Sequence, residues 1–158
     1  MAMSALEKLR RPQVARIVNE LPAGALHWGP PGATMVISTP QDIEALVLQI
    51  PKGKLATFHG LKNAIAQRHG TTIACPVTTG LFLNIVARAA AEEEMMGAKR
   101  VTPWWRVIRS DGTLNEKFPG GLGEHEKRLE AEGHVVKAKS RSKRVVADFE
   151  RKLVSLQA

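Results

Sequence analysis

The stretch TFHGLKNAIAQRHGTTIACPVTTGLFLNIVARAAAEEEMMG, residues 57–97, predicts two helices separated by a short turn. Thr57 can cap the first helix, and Gly70 can end it in a left-handed conformation. Pro76 suits the first position of a second, long helix, which Gly97 ends. The side chains expected to face the core are Leu61, Ala64 and Ile65 on the first helix and Leu81, Ile85 and Val86 on the second. Two consecutive helices of this kind predict a helix-turn-helix.

The flanking segments predict a strand and a helix before the helix-turn-helix and a further helix after it. They are TMVIST (residues 34–39), PQDIEALVLQI (40–50) and GEHEKRLEAEG (123–133). Thr39 can cap the first of these helices, and Pro51 ends it. WWRVIRSDGTLNEKF, residues 104–118, predicts a β-hairpin with Asp111-Gly112 at its turn. The expected fold is therefore mostly α with a small β-hairpin, in the order of a winged helix-turn-helix domain.

The predicted winged-helix domain spans residues 39–134 and carries an extension at each end. Residues 1–38 form the N-terminal extension, in which PQVARIVNEL, residues 12–21, can form a helix. Residues 135–158 begin with a flexible basic linker, KAKSRSKR, and continue as an amphipathic helix. The apolar side of that helix would consist of Val145, Phe149, Leu153 and Leu156.

Composition favours a globular protein with an anionic partner. The net charge is +8 and the pI is about 10.1, which favours nucleic acid first and an acidic membrane surface second. No stretch approaches the roughly 20 apolar residues of a membrane span, and the N-terminus lacks the apolar run of a secretory signal. The single cysteine predicts a reducing compartment, and hence a cytoplasmic protein. Composition therefore predicts a nucleic acid as the partner, and no membrane is predicted.

Three short motifs carry a resemblance to a known family. They are PWWRV (residues 103–107), FPGG (118–121) and EGH (132–134). The chain resembles the DNA-binding domain of the alkylguanine-DNA alkyltransferases, and more closely the alkyltransferase-like proteins, over about residues 40–134. In the enzymes, a Pro-Cys-His-Arg-Val string carries the cysteine that accepts the alkyl group. Trp104 stands at the position of that cysteine here, and Trp105 at that of the activating histidine.

The resemblance implies a pocket for an extruded base and a surface that docks in the minor groove of double-stranded DNA, which is the predicted partner. Trp104 would line the pocket, Trp105 would pack behind it, and Phe58 matches the family's base-rotating tyrosine. The predicted base-pocket residues are Trp104, Trp105, Phe58 and Phe118. The predicted DNA-contacting residues are Thr78, Thr79, Arg88, Lys99, Arg100, Arg106 and Arg109. An indole stacks on a base without reading its hydrogen bonds, so such a pocket would tolerate many adducts. The alternative is that both tryptophans belong to the core.

The residues of the PWWRV motif exclude alkyl transfer at this position, because a thiolate is the required nucleophile. The sequence therefore predicts no catalytic residue there, and an acceptor relocated to Cys75 stays an open alternative. The five histidines are scattered, so neither a metal site nor a cofactor is predicted. Glu132 matches the buried acid of the family, and a structural role with Arg106 is expected for it.

The leading interpretation is a non-enzymatic DNA-binding protein that recognises alkylated guanine and flags it for excision-repair proteins. Two other functions stay open: a winged-helix module that binds undamaged DNA or a protein, and an enzyme that uses Cys75. The family's intercalating arginine aligns with Gly80 when the second helix is anchored at Pro76. Arg88 is about 18 Å from the helix start at 1.5 Å per residue, so it is expected not to enter the duplex.

Overall fold

The computed structural model describes residues 3–158, which are mostly helical with small strands. The α-helices are α1 (Ala5–Arg10), α2 (Pro40–Val47), α3 (Phe58–His69), α4 (Pro76–Met95) and α5 (Gly121–Ala131). The strands are β1 (Arg16–Val18), β2 (Met35–Ile37), β3 (Ala56–Thr57), β4 (Ile73–Ala74), β5 (Val107–Ile108), β6 (Val136–Ser140) and β7 (Lys143–Val146). Short 3-10 turns cover Ala23–Trp28, Trp104–Arg106 and Phe149–Lys152. The strands form three small sheets, in the orders β1-β2-β4, β3-β5 and β6-β7.

Local caps set the ends of α2 and α3 where the sequence predicts them. The Thr39 hydroxyl accepts a hydrogen bond from the Asp42 amide at 3.2 Å, and the Thr57 hydroxyl accepts one from the Gly60 amide at 3.0 Å. Gly70 ends α3 with a φ of 67°, a conformation that glycine adopts without steric cost. These two hydrogen bonds confirm the predicted starts of α2 and α3. Each joins residues only three positions apart, so the sequence alone could reveal it.

The buried face of α4 differs from the predicted one in its first turns. Leu83, Val86 and Ala90 are buried and Ile85 is half-buried, whereas Leu81 is 57 % exposed. Leu81 and Leu83 are two residues apart, so they project about 200° apart around the helix and only one can face the core. The main core lies where α4 packs against α1 and α2. Within residues 3–158, no helix is long and apolar enough to span a membrane.

The helix predicted for residues 12–21 is wrong. The N-terminal helix is α1, which lies earlier in the chain, and Arg16–Val18 pairs antiparallel with β2 as strand β1. The β-branched Ile17 and Val18 suit a strand edge better than a short helix. Leu9 of α1 is buried in the main core, so the N-terminal segment packs onto the rest of the molecule.

The hairpin predicted for residues 104–118 is also wrong. Both tryptophans lie in a 3-10 turn, and β5 pairs parallel with β3 rather than with the residues that follow it. The predicted tight turn does form, because the Gly112 amide donates to the Arg109 carbonyl at 2.9 Å. Gly112 has a φ of 85°, and a Cβ at this position would clash with the ring of Phe149. The C-terminal segment therefore packs directly on this turn.

The basic segment predicted as a flexible linker is the antiparallel hairpin of β6 and β7. The Leu114 amide donates to the Arg144 carbonyl at 2.9 Å, which joins the loop after β5 to this hairpin. The predicted C-terminal amphipathic helix is wrong as well. Phe149–Lys152 is a single 3-10 turn, and Leu153 then bridges in parallel to Leu55. These pairings join residues far apart in the chain, so local periodicity did not reveal them.

Candidate nucleic-acid interface

The side chain of Trp104 is completely buried in a cluster of aromatic rings. Its ring centroid lies 5.1 Å from that of Phe118, 5.7 Å from that of Trp105 and 5.9 Å from that of His125. The contacts with Phe118 and Trp105 are edge-to-face, an arrangement that aromatic pairs favour. The prediction that Trp104 lines an open pocket is therefore wrong for this conformation, since the ring is part of the core.

His125 supports this cluster as a neutral imidazole. The Asn115 amide donates to Nδ1 at 3.2 Å, and Nε2 donates to the Trp105 carbonyl at 2.9 Å. These two partners fix the proton on Nε2. Burial lowers the pKa of His125 to about 4, and the bond to the Trp105 carbonyl offsets only part of that shift. Sequence reasoning left His125 among the scattered histidines, because its partners come from remote segments.

Arg128 of α5 covers both indoles. Its guanidinium carbon lies 5.1 Å from the ring centroid of Trp104 and 5.0 Å from that of Trp105. Glu94 of α4 holds the guanidinium with two hydrogen bonds of 3.1 and 2.7 Å. Cation–π contact and a bidentate ion pair thus tie the end of α4 to α5 through the tryptophan pair.

Trp105 and Arg106 both donate to Glu132, just after α5. Trp105 Nε1 lies 2.9 Å and Arg106 Nη2 lies 2.8 Å from Glu132 Oε2, while Arg106 Nη1 donates to the Ile50 carbonyl at 2.7 Å. Burial alone would raise the pKa of Glu132, but hydrogen bonds from Arg106, Trp105 and the Gly53 amide outweigh it and hold that pKa below its usual value. The expected pairing of Arg106 with Glu132 is confirmed. Arg106 is turned inward, so it supports the fold rather than the DNA-contacting surface predicted for it.

An open cavity of about 430 Å³ lies between the first turns of α4 and strand β5. Its size is within the ~300–1,000 Å³ common for small-ligand sites. Its polar and aromatic lining residues are the aromatic Phe58 and Phe118, the cationic Arg109 and Lys117, and the amide or hydroxyl side chains of Asn84, Ser110 and Asn115. Among residues 3–158, no Asp, Glu or Cys lines this cavity. A wall of this composition suits a planar ring that is attached to an anionic chain.

The predicted base-pocket residues divide into two pairs. Phe58 and Phe118 line the cavity, although Phe118 is itself almost fully buried. Trp104 and Trp105 do not line it, and they lie beneath it in the aromatic cluster with Phe118. Phe58 carries Lys62 at 5.2 Å from its ring centroid, so a cation already lies beside the exposed aromatic wall.

Two predicted DNA-contacting threonines are turned away from the surface. Thr79 is completely buried, and its hydroxyl donates to the Cys75 carbonyl at 2.7 Å. The Thr78 hydroxyl is buried too. The prediction is therefore wrong for both hydroxyl groups, because each lies on the side of α4 that faces the protein.

The predicted cationic contacts lie at different places on the surface. Arg109 lines the cavity and pairs with Glu116 at 2.9 Å. Lys99 and Arg100 are exposed in the link between α4 and the tryptophan pair. Arg88 is exposed on the side of α4 that meets the start of α1, and it does not line the cavity.

Sequence reasoning missed several groups at the cavity mouth. Val77 and Leu81 are 56 % and 57 % exposed, one helical turn apart, and both line the cavity. Asn84 and Lys117 also line it without having been predicted. The two-residue offset between Leu81 and Leu83 was a signal, because a helix cannot bury both on one side.

Cys75 is buried as the N-cap residue of α4. It does not line the cavity, and its carbonyl accepts the hydrogen bond from Thr79. Within the described part of the chain, no group of three His, Cys, Asp or Glu side chains could hold a metal ion. The geometry thus brings together an aromatic cavity and cations rather than a nucleophile and a base.

These features define a class of protein: a basic, mostly helical domain with an aromatic, acid-free cavity at the start of its longest helix. The chain belongs to the family described as "6-O-methylguanine DNA methyltransferase, DNA binding domain", whose model matches residues 38–134. No curated protein matches the sequence at a significant level.

Solved structures that resemble this chain include two from S. pombe. One is Atl1 in complex with damaged DNA containing O6-carboxymethylguanine, with 22 % identity and a TM-score of 0.48. The other is ATL in complex with DNA, with 20 % identity and a TM-score of 0.48. Each match covers 73 % of this chain and 94 % of the other.

Proposed function

We propose that this protein is a non-enzymatic DNA-binding protein that recognises alkylated guanine in double-stranded DNA. The cavity would receive the guanine after it leaves the base stack. Extrusion costs a few kcal/mol and costs least for a damaged base, which favours lesions over intact guanine. Membership of a family described by its DNA-binding domain supports DNA as the partner, as does the net charge of +8.

The observation that carries this proposal is the composition of the cavity wall. Phe58 offers aromatic surface, the nearly buried Phe118 lies behind it, and no thiol or carboxylate of the described chain lines the cavity. A base can stack on an aromatic ring whatever alkyl group it bears. Cys75 is buried outside the wall, so an alkyl group in the cavity meets no thiolate that could accept it. The protein would therefore recognise the alkylated base without accepting its alkyl group.

We further infer that α3 and α4 act as a helix-turn-helix and that the β6–β7 hairpin is its wing. Exposed cations of the hairpin are Lys137, Lys139, Arg141 and Lys143. The Lys139 ammonium lies 3.6 Å from the Asp111 carboxylate, in the same loop whose Arg109 and Ser110 line the cavity. The hairpin is thereby joined to the cavity wall, and its cations would contact phosphates beside the lesion.

In this proposal, residues 39–134 form the unit that contacts the lesion, and residues 1–38 and 135–158 pack on it. The bound lesion would be handed to excision-repair proteins, because nothing in the cavity wall reverses the damage. The protein would act in the cytoplasm, in keeping with its single, buried cysteine.

A binding comparison tests the proposal. Two duplexes that differ by a single O6-methylguanine are titrated at the same stated salt, because the phosphate contribution varies steeply with salt. We expect tighter binding to the alkylated duplex and no transfer of a labelled methyl group to the protein. Methyl transfer that disappears in Cys75→Ser would contradict the non-enzymatic reading.

A second candidate function is a winged-helix module that binds undamaged DNA. The position that aligns with the family's intercalating arginine is Gly80, at the cavity mouth. Arg88 lies on the α1 side of α4, so this helix supplies no arginine to the cavity. If the two duplexes bind equally and both affinities fall steeply with salt, this second function is the correct one. Weak, salt-independent binding would point to a protein partner instead.

A further inference from the structure

A second pocket lies between the N-terminal extension and the first half of α3. Its volume is about 320 Å³, near the lower end of the range for small-ligand sites. We call it the flanking pocket, and its aromatic and polar lining residues are His27, Trp28, His59, Lys62 and Asn63. The first two of these precede residues 38–134, to which the family model matches. This pocket is therefore built partly from a segment that lies outside the family's domain.

The fold fixes the aromatic side of the flanking pocket. Trp28 is the last residue of the 3-10 turn Ala23–Trp28, and its ring lies edge-on to that of His27, with centroids 5.8 Å apart. Ile73 and Ala74 of β4 also line the pocket, and β4 pairs in parallel with β2 of the N-terminal extension. The sheet thus joins the extension, which carries the aromatic pair, to the segment that follows α3.

The lining of the flanking pocket suits a single nucleotide. Trp28 is half-buried, so part of its side chain is open to a planar partner. Bases stack on aromatic rings, and proteins that bind single strands use such rings for successive bases. Lys62 supplies a cation for a phosphate, and Asn63 supplies an exposed amide. Among residues 3–158, no Asp or Glu lines this pocket, so its wall does not repel an anion.

The flanking pocket and the candidate cavity share one wall. Pro76 lines both of them. The Lys62 ammonium lies 5.2 Å from the ring centroid of Phe58, which lines the cavity. The His59 amide donates to the Ser110 hydroxyl at 3.2 Å, which joins a residue of the flanking pocket to one of the cavity. Successive nucleotides of one DNA strand can therefore occupy the two sites.

We propose that the flanking pocket binds the nucleotide next to the alkylated guanine on the same strand. Its base stacks on Trp28, and its phosphate pairs with Lys62. This inference rests on the proposed function, because the guanine in the cavity positions the strand. A base that is paired in the duplex cannot stack on Trp28, so the pocket favours a lesion whose neighbour is unpaired. The pocket lies on one side of the shared wall, so it accepts the neighbour from one side of the lesion only.

The test uses three duplexes that each contain one O6-methylguanine. The first is otherwise fully paired. In the other two, an abasic site faces either the 5′ or the 3′ neighbour of the lesion, which leaves that neighbour without a partner. Affinities are measured at one stated salt for the unaltered protein and for Trp28→Leu, which keeps apolar volume without a ring face. The same three duplexes with guanine in place of the lesion serve as references.

Two further variants are controls. Trp28→Phe keeps an aromatic ring. Leu26→Ala changes a residue of the same 3-10 turn that is 64 % exposed and does not line the flanking pocket. An abasic site also makes extrusion of the lesion easier, but that effect does not depend on Trp28. The affinity that Trp28→Leu loses therefore reports on the pocket alone.

We expect Trp28→Leu to bind one of the two duplexes with an unpaired neighbour about tenfold more weakly than the unaltered protein does, a loss on the scale of one stacked base. Its affinity for the other two alkylated duplexes should stay unchanged, which also shows that the variant is folded. Trp28→Phe should retain most of the affinity, and Leu26→Ala should behave like the unaltered protein.

Three results would overturn the flanking pocket while leaving lesion recognition intact. Unchanged affinities of Trp28→Leu for all three duplexes would show that no base stacks on the ring. An equal loss for all three would make Trp28 a support of the fold, and a loss for both unpaired neighbours would contradict a one-sided site. If the unaltered protein binds the alkylated duplexes no better than their guanine references, the proposed function itself fails, and the flanking pocket fails with it.

Discussion

At the scale of the single residue, Trp104 and Phe58 have different roles: Trp104 packs in the core, and Phe58 lines the cavity. Trp104 is locked by Phe118, His125 and Arg128, so it shapes the floor beneath the cavity without reaching a ligand. Phe58 is half-buried and lines the cavity directly. The residue at the acceptor position thus acts through packing, whereas contact with a base would fall to Phe58.

Trp104→Ala should mainly destabilise the protein. Removing a fully buried indole leaves a void, and such substitutions cost about 3–5 kcal/mol of unfolding free energy. Urea unfolding should show this loss, while Trp28→Ala, in a partly exposed 3-10 turn, should change stability much less. If a fully stable Trp104→Ala variant lost affinity for alkylated DNA selectively, Trp104 would instead be a residue that contacts the bound base.

Phe58→Ala should weaken binding to the alkylated duplex more than binding to the plain duplex. The expected difference is about 1–3 kcal/mol, the contribution of one base stacked on an aromatic ring. Phe58→Leu, which keeps apolar volume without the ring face, separates stacking from packing. If both duplexes lose affinity equally in Phe58→Ala, the ring does not contact the extruded base.

At the scale of the element, the four helices α2 to α5 were predictable, whereas α1 and the strands of residues 104–158 were not. Thr39 and Thr57 cap amides three residues away, so the sequence alone contains the whole interaction. By contrast, the Leu114 amide reaches the Arg144 carbonyl, 30 positions later in the chain, and no local pattern marks that partner. The alternation of valine, alanine and lysine in β6 was the available signal for a strand, but the density of charge favoured a linker.

The same limits apply to the candidate site. Phe58 and Phe118 were predicted from a family motif, and both line the cavity. The exposed position of Leu81 was missed, because helical periodicity alone allowed either Leu81 or Leu83 to face the core. His125 was missed since its role depends on the Asn115 amide and the Trp105 carbonyl, which only the fold brings to it.

The β6–β7 hairpin yields a prediction about salt. If Lys137, Lys139, Arg141 and Lys143 contact phosphates, each removed contact should reduce the slope of log affinity against log salt by about 0.9. The variant that replaces all four with glutamine should therefore bind DNA with a much shallower salt dependence. Replacing Lys8, Arg11, Lys52 and Lys54, exposed cations on α1, just after it and in the turn after α2, serves as the control. An equal effect in both variants would indicate general charge attraction rather than a wing.

At the scale of the whole molecule, the later turns of α4 connect α1 and α5 to the helix whose first turns border the cavity. The Ala5 and Leu6 amides of α1 donate to the Glu92 carboxylate at 3.0 and 2.8 Å, and Glu94 holds Arg128 over the tryptophans. Glu92 and Glu94 of α4 thus accept hydrogen bonds from other helices of the protein. One helix therefore carries the cavity edge at its start and anchors both α1 and α5 near its end.

This shared core makes stability depend on pH through His125. Its pKa is about 4 in the folded protein and near 6.5 when unfolded, so the unfolded chain binds more protons between these values. The contribution of His125 to the free energy of unfolding is fully present above pH 6.5. It is lost as the pH drops towards 4, which lowers that free energy by about 3 kcal/mol. The pKa of His134 is also lowered by burial, which adds a loss of the same sign.

Urea unfolding at pH 7, 6, 5 and 4.5 measures this dependence. His125→Gln removes the titrating group while leaving a polar side chain near the Asn115 amide and the Trp105 carbonyl. This variant should be less stable at pH 7, but its stability should decline much less between pH 6.5 and 4.5. His134→Gln, which keeps His125, should retain most of the decline. An identical decline in His125→Gln and the unaltered protein would show that the fold does not hold the His125 imidazole neutral beside Trp104.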